Sequence, residues 1–333
     1  MTERTIANST SLSHDDTLTS IDTLSILYLN MERWEDMQPL AHETFTRTLD
    51  KYGPEHTQTI DARKALATCY HYLKSWEEVK ALQIDIVDMS KTKLGNDHRE
   101  TIEAMDFLSE AYEMLGQYKK CEELNVAILE WRRENLGQEH EETILAMINL
   151  IGTYLEIDKL VETRELRCEL LEIYKKTVGE NSDQYLETKG YLANDLVAEK
   201  HFDEAEVLEI EVLDARIRIG GEDDASTHKA MECLARTYVK KKEYSKAQVM
   251  YLRVLKLRET LSTLGKLDPD VLRSMKHLED LYCEMLEWDK AKGYAVVILD
   301  AMNELAPRND GAGVLSAMSD MRRIHMGLSL IHI

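Results

Sequence analysis

The sequence predicts an all-α fold, a stack of about seven helical hairpins plus a partial eighth. Three observations predict it. A short block recurs every 42 residues: Tyr52-Gly53-Pro54-Glu55-His56 returns as Leu94-Gly95-Asn96-Asp97-His98 and as Leu136-Gly137-Gln138-Glu139-His140, and Gly179 and Gly221 continue the series. Two more columns keep that register, one through Tyr28, Tyr70, Tyr112, Tyr154, Leu196, Tyr238 and Tyr282, the other through Trp34, Trp76, Tyr118, Leu160, Phe202, Tyr244 and Trp288. Each period also holds two apolar faces at helical spacing.

Residues 1–21 are polar and are expected to lack stable structure; the array is expected over residues 22–307. Within a unit, Ile102, Met105, Leu108, Ala111 and Tyr112 share one face of a first helix, Gly116 supplies a turn, and Tyr118, Cys121, Leu124, Ile128 and Leu129 share one face of a second. Capping boxes are expected at Asp97-x-x-Glu100 and Asn181-x-x-Gln184. Pro39 is placed near the first turn of its helix, where a missing N–H costs little. One hairpin cannot cover its own apolar face, so neighbours must stack. The pairs Ile86-Val87, Ile128-Leu129, Leu170-Leu171, Val212-Leu213, Val254-Leu255 and Ile298-Leu299 read as the seam of the second helices, and Met105, Met147, Met231 and Met275 as core filler of the first. The next glycine mark, Gly265, falls 44 residues on, which places a two-residue insertion near Ser262-Thr263. Residues 308–327 read as the first helix of an incomplete unit, with Met318 continuing the methionine column. The last six residues, 328–333, match one reading frame of a common transposase sequencing adapter and are expected to be a non-native tail on a longer native chain.

Composition narrows the function. The formal charge is −21, which repels phosphate backbones and anionic lipid, so neither a nucleic acid nor a membrane is expected as partner. No apolar run reaches the length of a membrane span, and the N-terminus lacks a signal-peptide core; a cytoplasmic protein is expected. The five cysteines show no CxxC and no close pair, and read as reduced thiols used as small apolar residues. No phosphate loop and no GxGxxG occurs. His140-Glu141 is followed by Ile144 where a zinc helix needs a second His. His56, His98 and His140 sit at equivalent points of successive hairpins, about 10 Å apart by helix-packing distances, too far to share a zinc; they read as turn or cap residues. No catalytic residue, metal site or cofactor is expected.

Leu94-Gly95-x-x-His98-x-x-Thr101, Leu136-Gly137-x-x-His140-x-x-Thr143, Leu66-Ala67-x-x-Tyr70, Leu234-Ala235-x-x-Tyr238 and Phe202-x-x-Ala205 together resemble the tetratricopeptide repeat (TPR), in the 42-residue form of the kinesin light chains. The resemblance spans residues 22–306. It implies a right-handed superhelix whose first helices line a concave groove that holds a peptide. Just before Leu-Ala that family carries Asn; this chain has Ala65, Phe107, Asn149, Tyr191, Cys233 and His277 there, so only Asn149 matches.

By register with that family, the groove starts acidic, with Asp61, Lys64, Glu103, Asp106, Glu110 and Glu113. It becomes apolar at Leu145, Ile148 and Leu155, with Gly152 between, and later carries Glu187, Asn194, Lys229, Arg236, Arg273 and Lys276 as a basic stretch. A peptide is expected to set its basic part at the acidic end, its apolar anchor at the middle and its acidic part near Arg273 and Lys276. The expected function is a non-enzymatic adaptor or scaffold for a protein or peptide. The alternatives are the sensor array of a larger NTPase-type signalling protein, a kinesin-light-chain-like cargo adaptor, and a fragment of an enzyme lacking its catalytic domain.

Overall fold

The structure, a computed structural model, describes residues 31–305 together with Leu24, Leu27 and Tyr28. The expectations for residues 1–21, 308–327 and 328–333 lie outside the described residues. Regular structure among the described residues is helical throughout. After helical Leu24, Leu27 and Tyr28 come α1 (Trp34–Tyr52), α2 (Thr57–Tyr72), α3 (Trp76–Leu94), α4 (Arg99–Met114), α5 (Tyr118–Leu136) and α6 (Glu141–Glu156). Then follow α7 (Leu160–Thr177), α8 (Asp183–Ala198), α9 (Phe202–Gly220), α10 (Ala225–Lys240), α11 (Tyr244–Leu261), α12 (Pro269–Glu284) and α13 (Trp288–Leu305). Even-numbered helices are the first, odd-numbered the second, of each repeat. The chain forms two compact units, divided between Lys159 and Leu160. In each, every helix packs on the next: α1 through α6 in one, α7 through α13 in the other.

The repeat columns turn inward as the period requires. Ile86, Ile128, Leu170, Val212, Val254 and Ile298 are all buried along the second helices, and Met105, Met147, Met231 and Met275 are buried along the first. The tyrosine column is buried or half-buried throughout. The Trp34–Trp288 column opens each second helix and is half-buried at every position. Leu24 and Tyr28 pack against Met37, Ala41, Leu66 and Cys69, so the apolar edge of the first unit is covered from its N-terminal side.

Local chemistry sets the helix ends. His56, His98 and His140 are N-caps: Nδ1 accepts from the amides of Gln58, Glu100 and Glu142 at 3.3, 3.2 and 3.2 Å. Ser182, Asp224 and Asp268 take the same position, their side-chain oxygens accepting from Tyr185, Ser226 and Asp270 at 3.2, 2.8 and 2.9 Å. The capping boxes expected from Asp97 and Asn181 are therefore one residue out; the residue after each makes the cap. The glycine-to-threonine spacing has its own cause. Thr101, Thr143 and Thr227 are buried and donate to the carbonyls of Gly95, Gly137 and Gly221, each at 2.8 Å, locking the turn between repeats. Pro39 lies in the second turn of α1, not the first, so it removes an internal helix bond. Cys69 and Cys121 are core residues as expected, but Cys168 is exposed. The two-residue insertion falls between Leu261 and Gly265; the turn that follows is a short 3-10 helix, Gly265–Leu267, whose Lys266 pairs with Glu304 of α13 at 3.1 Å.

The turn inside each repeat needs one left-handed residue. Glu32, Lys74, Gly116, Asp158, Lys200, Lys242 and Leu286 hold it, with φ between 54° and 68°. Only Gly116, which lacks a Cβ, adopts that region without steric crowding. Leu286 is the bulkiest of the set and is 66% exposed, so its side chain offers little packing in return. Leu286→Gly is expected to raise stability by about 1 kcal/mol, seen as a higher denaturation midpoint; an unchanged or lower midpoint would refute the strain.

Candidate functional site

The faces of the first helices carry the sequence-predicted groove residues, and each unit presents its own set. In the first unit Asp61, Lys64, Glu103, Glu110 and Glu113 are exposed on α2 and α4. Lys64 approaches Glu100 at 3.9 Å, Glu103 receives Arg99 at 2.9 Å, and Glu110 lies 3.7 Å from His71. Burial and the neighbouring Glu110 and Glu156 push the Glu113 carboxyl up from its ordinary value. Asp106 departs from expectation. It is half-buried and turned inward onto Arg132 of α5, so it is no free groove charge. Its pKa rises to about 6 because burial outweighs the attraction of Arg132.

The apolar middle is about half exposed. Leu145, Ile148 and Leu155 stand on one face of α6 at 51%, 44% and 43% exposure, and Phe107 of α4 is 54% exposed.

In the second unit Lys229 and Arg236 are exposed on α10, and Asn194 is half-buried on α8. Arg273 pairs with Asp270 at 2.8 Å, and Lys276 pairs with Glu279 at 3.1 Å and Asp280 at 3.4 Å, all on α12 itself. At α12 the stretch expected to be basic is therefore a mixed surface, with Arg273 and Lys276 already engaged by carboxylates of their own helix.

Two clefts open on these faces, each between consecutive first helices with the intervening second helix as floor. The first-unit cleft, about 960 Å³ and open to solvent, is bounded by Lys64, His71, Tyr72, Gln83, Glu103 and Phe107. Tyr72 stacks on Trp34 with centroids 3.9 Å apart. The second-unit cleft, about 540 Å³, is bounded by Glu187, Tyr191, Asn194, Glu209, Lys229 and Cys233, with Val212 and Arg216 deeper. Arg167 and Lys229 lie over the Tyr191 ring at 5.1 and 5.9 Å from its centroid.

The two floors share one repeat position, which runs Gln83, Asn125, Arg167, Glu209 and Tyr251 along the second helices, buried at every step. Asn125 is satisfied, accepting from Ser109 at 2.6 Å and donating to Thr153 at 3.0 Å. Arg167 pairs with Asp195 at 2.6 Å. Gln83 Oε1, Glu209 Oε2 and Arg167 Nε meet no hydrogen-bond partner, and Gln83 and Glu209 line the two clefts. Sequence reasoning missed this column, along with Tyr72. It did single out Phe107, Tyr191 and Cys233, as departures from Asn, without assigning them to the surface where they now stand.

Among the described residues no group of three or more His, Cys, Asp or Glu is placed to hold a metal ion, and no helix is long and apolar enough to cross a membrane.

No protein-family profile and no curated protein matches the sequence. Solved structures do match in fold. A putative kinesin light chain with nearly identical TPR-like repeats, from Podosopora anserina, aligns at 21% identity and TM-score 0.55, covering 63% of this chain and 99% of that one. BtubC (BKLC) from P. vanneervenii aligns at 21% identity and TM-score 0.54, over 71% of this chain and 94% of that one. A signal transduction ATPase with numerous domains from Pyrococcus horikoshii, which has a tetratricopeptide repeat sensor, aligns at 14% identity and TM-score 0.58, over 88% of this chain and 43% of that one. With the glycine, threonine and tyrosine columns now seen in their structural places, the chain has the fold of a tetratricopeptide-repeat array, similar to that of the kinesin-light-chain-like repeats.

Proposed function

We propose that the chain is a non-enzymatic scaffold that binds a protein or peptide on the faces of its first helices. One observation carries this reading: Leu145, Ile148 and Leu155 form an apolar row on α6 that stays about half exposed. A row of that kind costs solubility unless something docks on it. Apolar burial there would supply affinity, and the surrounding carboxylates of α4 orientation and partner choice.

The test is a random peptide library displayed on phage and selected on the full chain. Peptides that enrich are expected to lose at least tenfold in affinity for a Leu145→Asp, Ile148→Asp double variant. Both side chains are about half exposed, so the variant should fold. Failure to enrich any peptide, or equal affinity for the variant, would overturn the reading.

A further inference from the structure

The second-unit cleft has a floor that its own surroundings leave unfinished. Glu209 is 3% exposed, on α9, beneath the opening between α8 and α10. Thr237 of α10 donates to the carboxylate, while Oε2 has no hydrogen-bond partner. A buried acceptor left this way costs free energy, and a buried carboxylate more than a neutral group. Elsewhere in the same column Asn125 is satisfied through Ser109 and Thr153, Arg167 is paired in charge with Asp195, and Gln83, which also leaves Oε1 without a partner, carries no charge. At Glu209 the neighbouring cations are occupied. Arg216 is paired with Asp183, Lys229 lies over the Tyr191 ring, and Arg236 donates to Cys233 Sγ at 3.1 Å.

We propose that this cleft receives an arginine or lysine side chain of the polypeptide partner, whose terminal N–H donates to Glu209 Oε2 at the floor. The inference rests on the peptide-binding reading above and names what one of its sites selects. A neutral donor would satisfy the oxygen but leave the carboxylate charge offset only by the through-space attraction of Arg236; a cation does both, and charge-assisted bonds are the stronger. The aliphatic stem of such a side chain would lie along Leu186, Val212 and Ala230, while Glu187 and Asn194 offer acceptors at the rim. The net charge of −21 favours a cationic guest at long range.

Protonation gives a second readout. Burial pushes the Glu209 carboxyl up to about 7. The charged or polar groups facing it are Glu206 and Arg216 of its own helix, Glu187 of α8, and Lys229, Arg236 and Thr237 of α10. A guest cation holds the carboxyl ionised, so binding near neutral pH releases a proton and strengthens as pH rises, by about tenfold between pH 6 and 8.

The experiment titrates the full chain, carrying carboxyl-labelled glutamate, with Nα-acetyl-arginine amide, the lysine amide, and the neutral glutamine and norleucine amides, followed by NMR. The arginine or lysine probe is expected to shift the Glu209 carboxyl signal and to bind at least tenfold more tightly than the neutral probes. Glu209→Gln, which preserves shape, is expected to remove both that preference and the pH dependence, while a second variant, Lys256→Ala, at an exposed position of α11 outside the cleft, keeps them. Equal binding of glutamine and arginine amides, arginine binding unchanged in Glu209→Gln, or no binding at all would overturn the proposal. A chain that takes the arginine probe at Glu209 yet enriches no library peptide would instead refute the broader scaffold reading.

Discussion

Arg258→Ala is expected to destabilise the second unit by about 3–5 kcal/mol, the largest loss of any single change considered for this chain. Arg258 belongs to α11 and ties three helices together. Its Nη1 donates to Glu232 Oε1 of α10 at 2.5 Å, to Ser274 Oγ of α12 at 2.6 Å, and to the Asp270 carbonyl at 3.2 Å. Arginine and glutamate are each 9% exposed. Removing the guanidinium strands the Glu232 carboxylate: the His277 ring lies 3.8 Å away, but burial disfavours its charged form. The penalty is that of an unpaired buried charge rather than the net worth of the bridge. Arg258→Met combined with Glu232→Met should therefore recover most of the loss. Denaturant midpoints of the three proteins check this. A loss below about 1 kcal/mol for the single variant would mean that water already reaches the pair.

The equivalent arginine occurs three times. Arg132, Arg216 and Arg258 share one register position and reach Asp106, Asp183 and Glu232 respectively. None of these pairs was legible as a pair. In sequence, a charged residue every third or fourth position looks like a solvated helix face. That it folds inward depends on a carboxylate 26 or 33 residues away, which periodicity does not reveal. Asp106 was misplaced into the groove for this reason. The apolar columns were legible because their identity is kept: Met105, Met147, Met231 and Met275 solve one packing problem in one way. The buried polar column was not, because Gln83, Asn125, Arg167, Glu209 and Tyr251 solve theirs in five ways. The turns fell between these cases. Gly53 to Gly221 announce a left-handed backbone, whereas Lys74, Lys200 and Leu286 hold one without a glycine to signal it. On the surface, register found the exposed Leu145, Ile148 and Leu155, since exposure of a first-helix position follows from geometry. It did not foresee the carboxylates that pair with Arg273 and Lys276, since the reach of a long side chain along its own helix does not follow from register.

Glu209→Gln is expected to stabilise the chain at pH 8 and to leave it unchanged near pH 4. The folded-state pKa of about 7 stands above the ordinary 4.5 because burial disfavours the charged form. Between those values the folded protein keeps a proton that the unfolded chain gives up, so stability falls as pH rises through the window. The cost is absent below the unfolded pKa and complete above the folded one. It amounts to about 3 kcal/mol for a displacement of this size, and glutamine, which never ionises, avoids it. Asp106 and Asp195, each raised to about 6 chiefly by burial, add a fall of the same sign in both proteins and cancel from the difference. Denaturation midpoints at the two pH values measure the effect. A variant no more stable than the parent at pH 8 would show that the carboxylate is already well solvated, and would remove the reason for a guest cation. If the gain appears, Glu209 is held at a disadvantage that a single substitution relieves. Arginine amide at pH 8 should then restore part of that stability to the parent protein and none to Glu209→Gln, because only a protein that binds the guest in its folded form is stabilised by it.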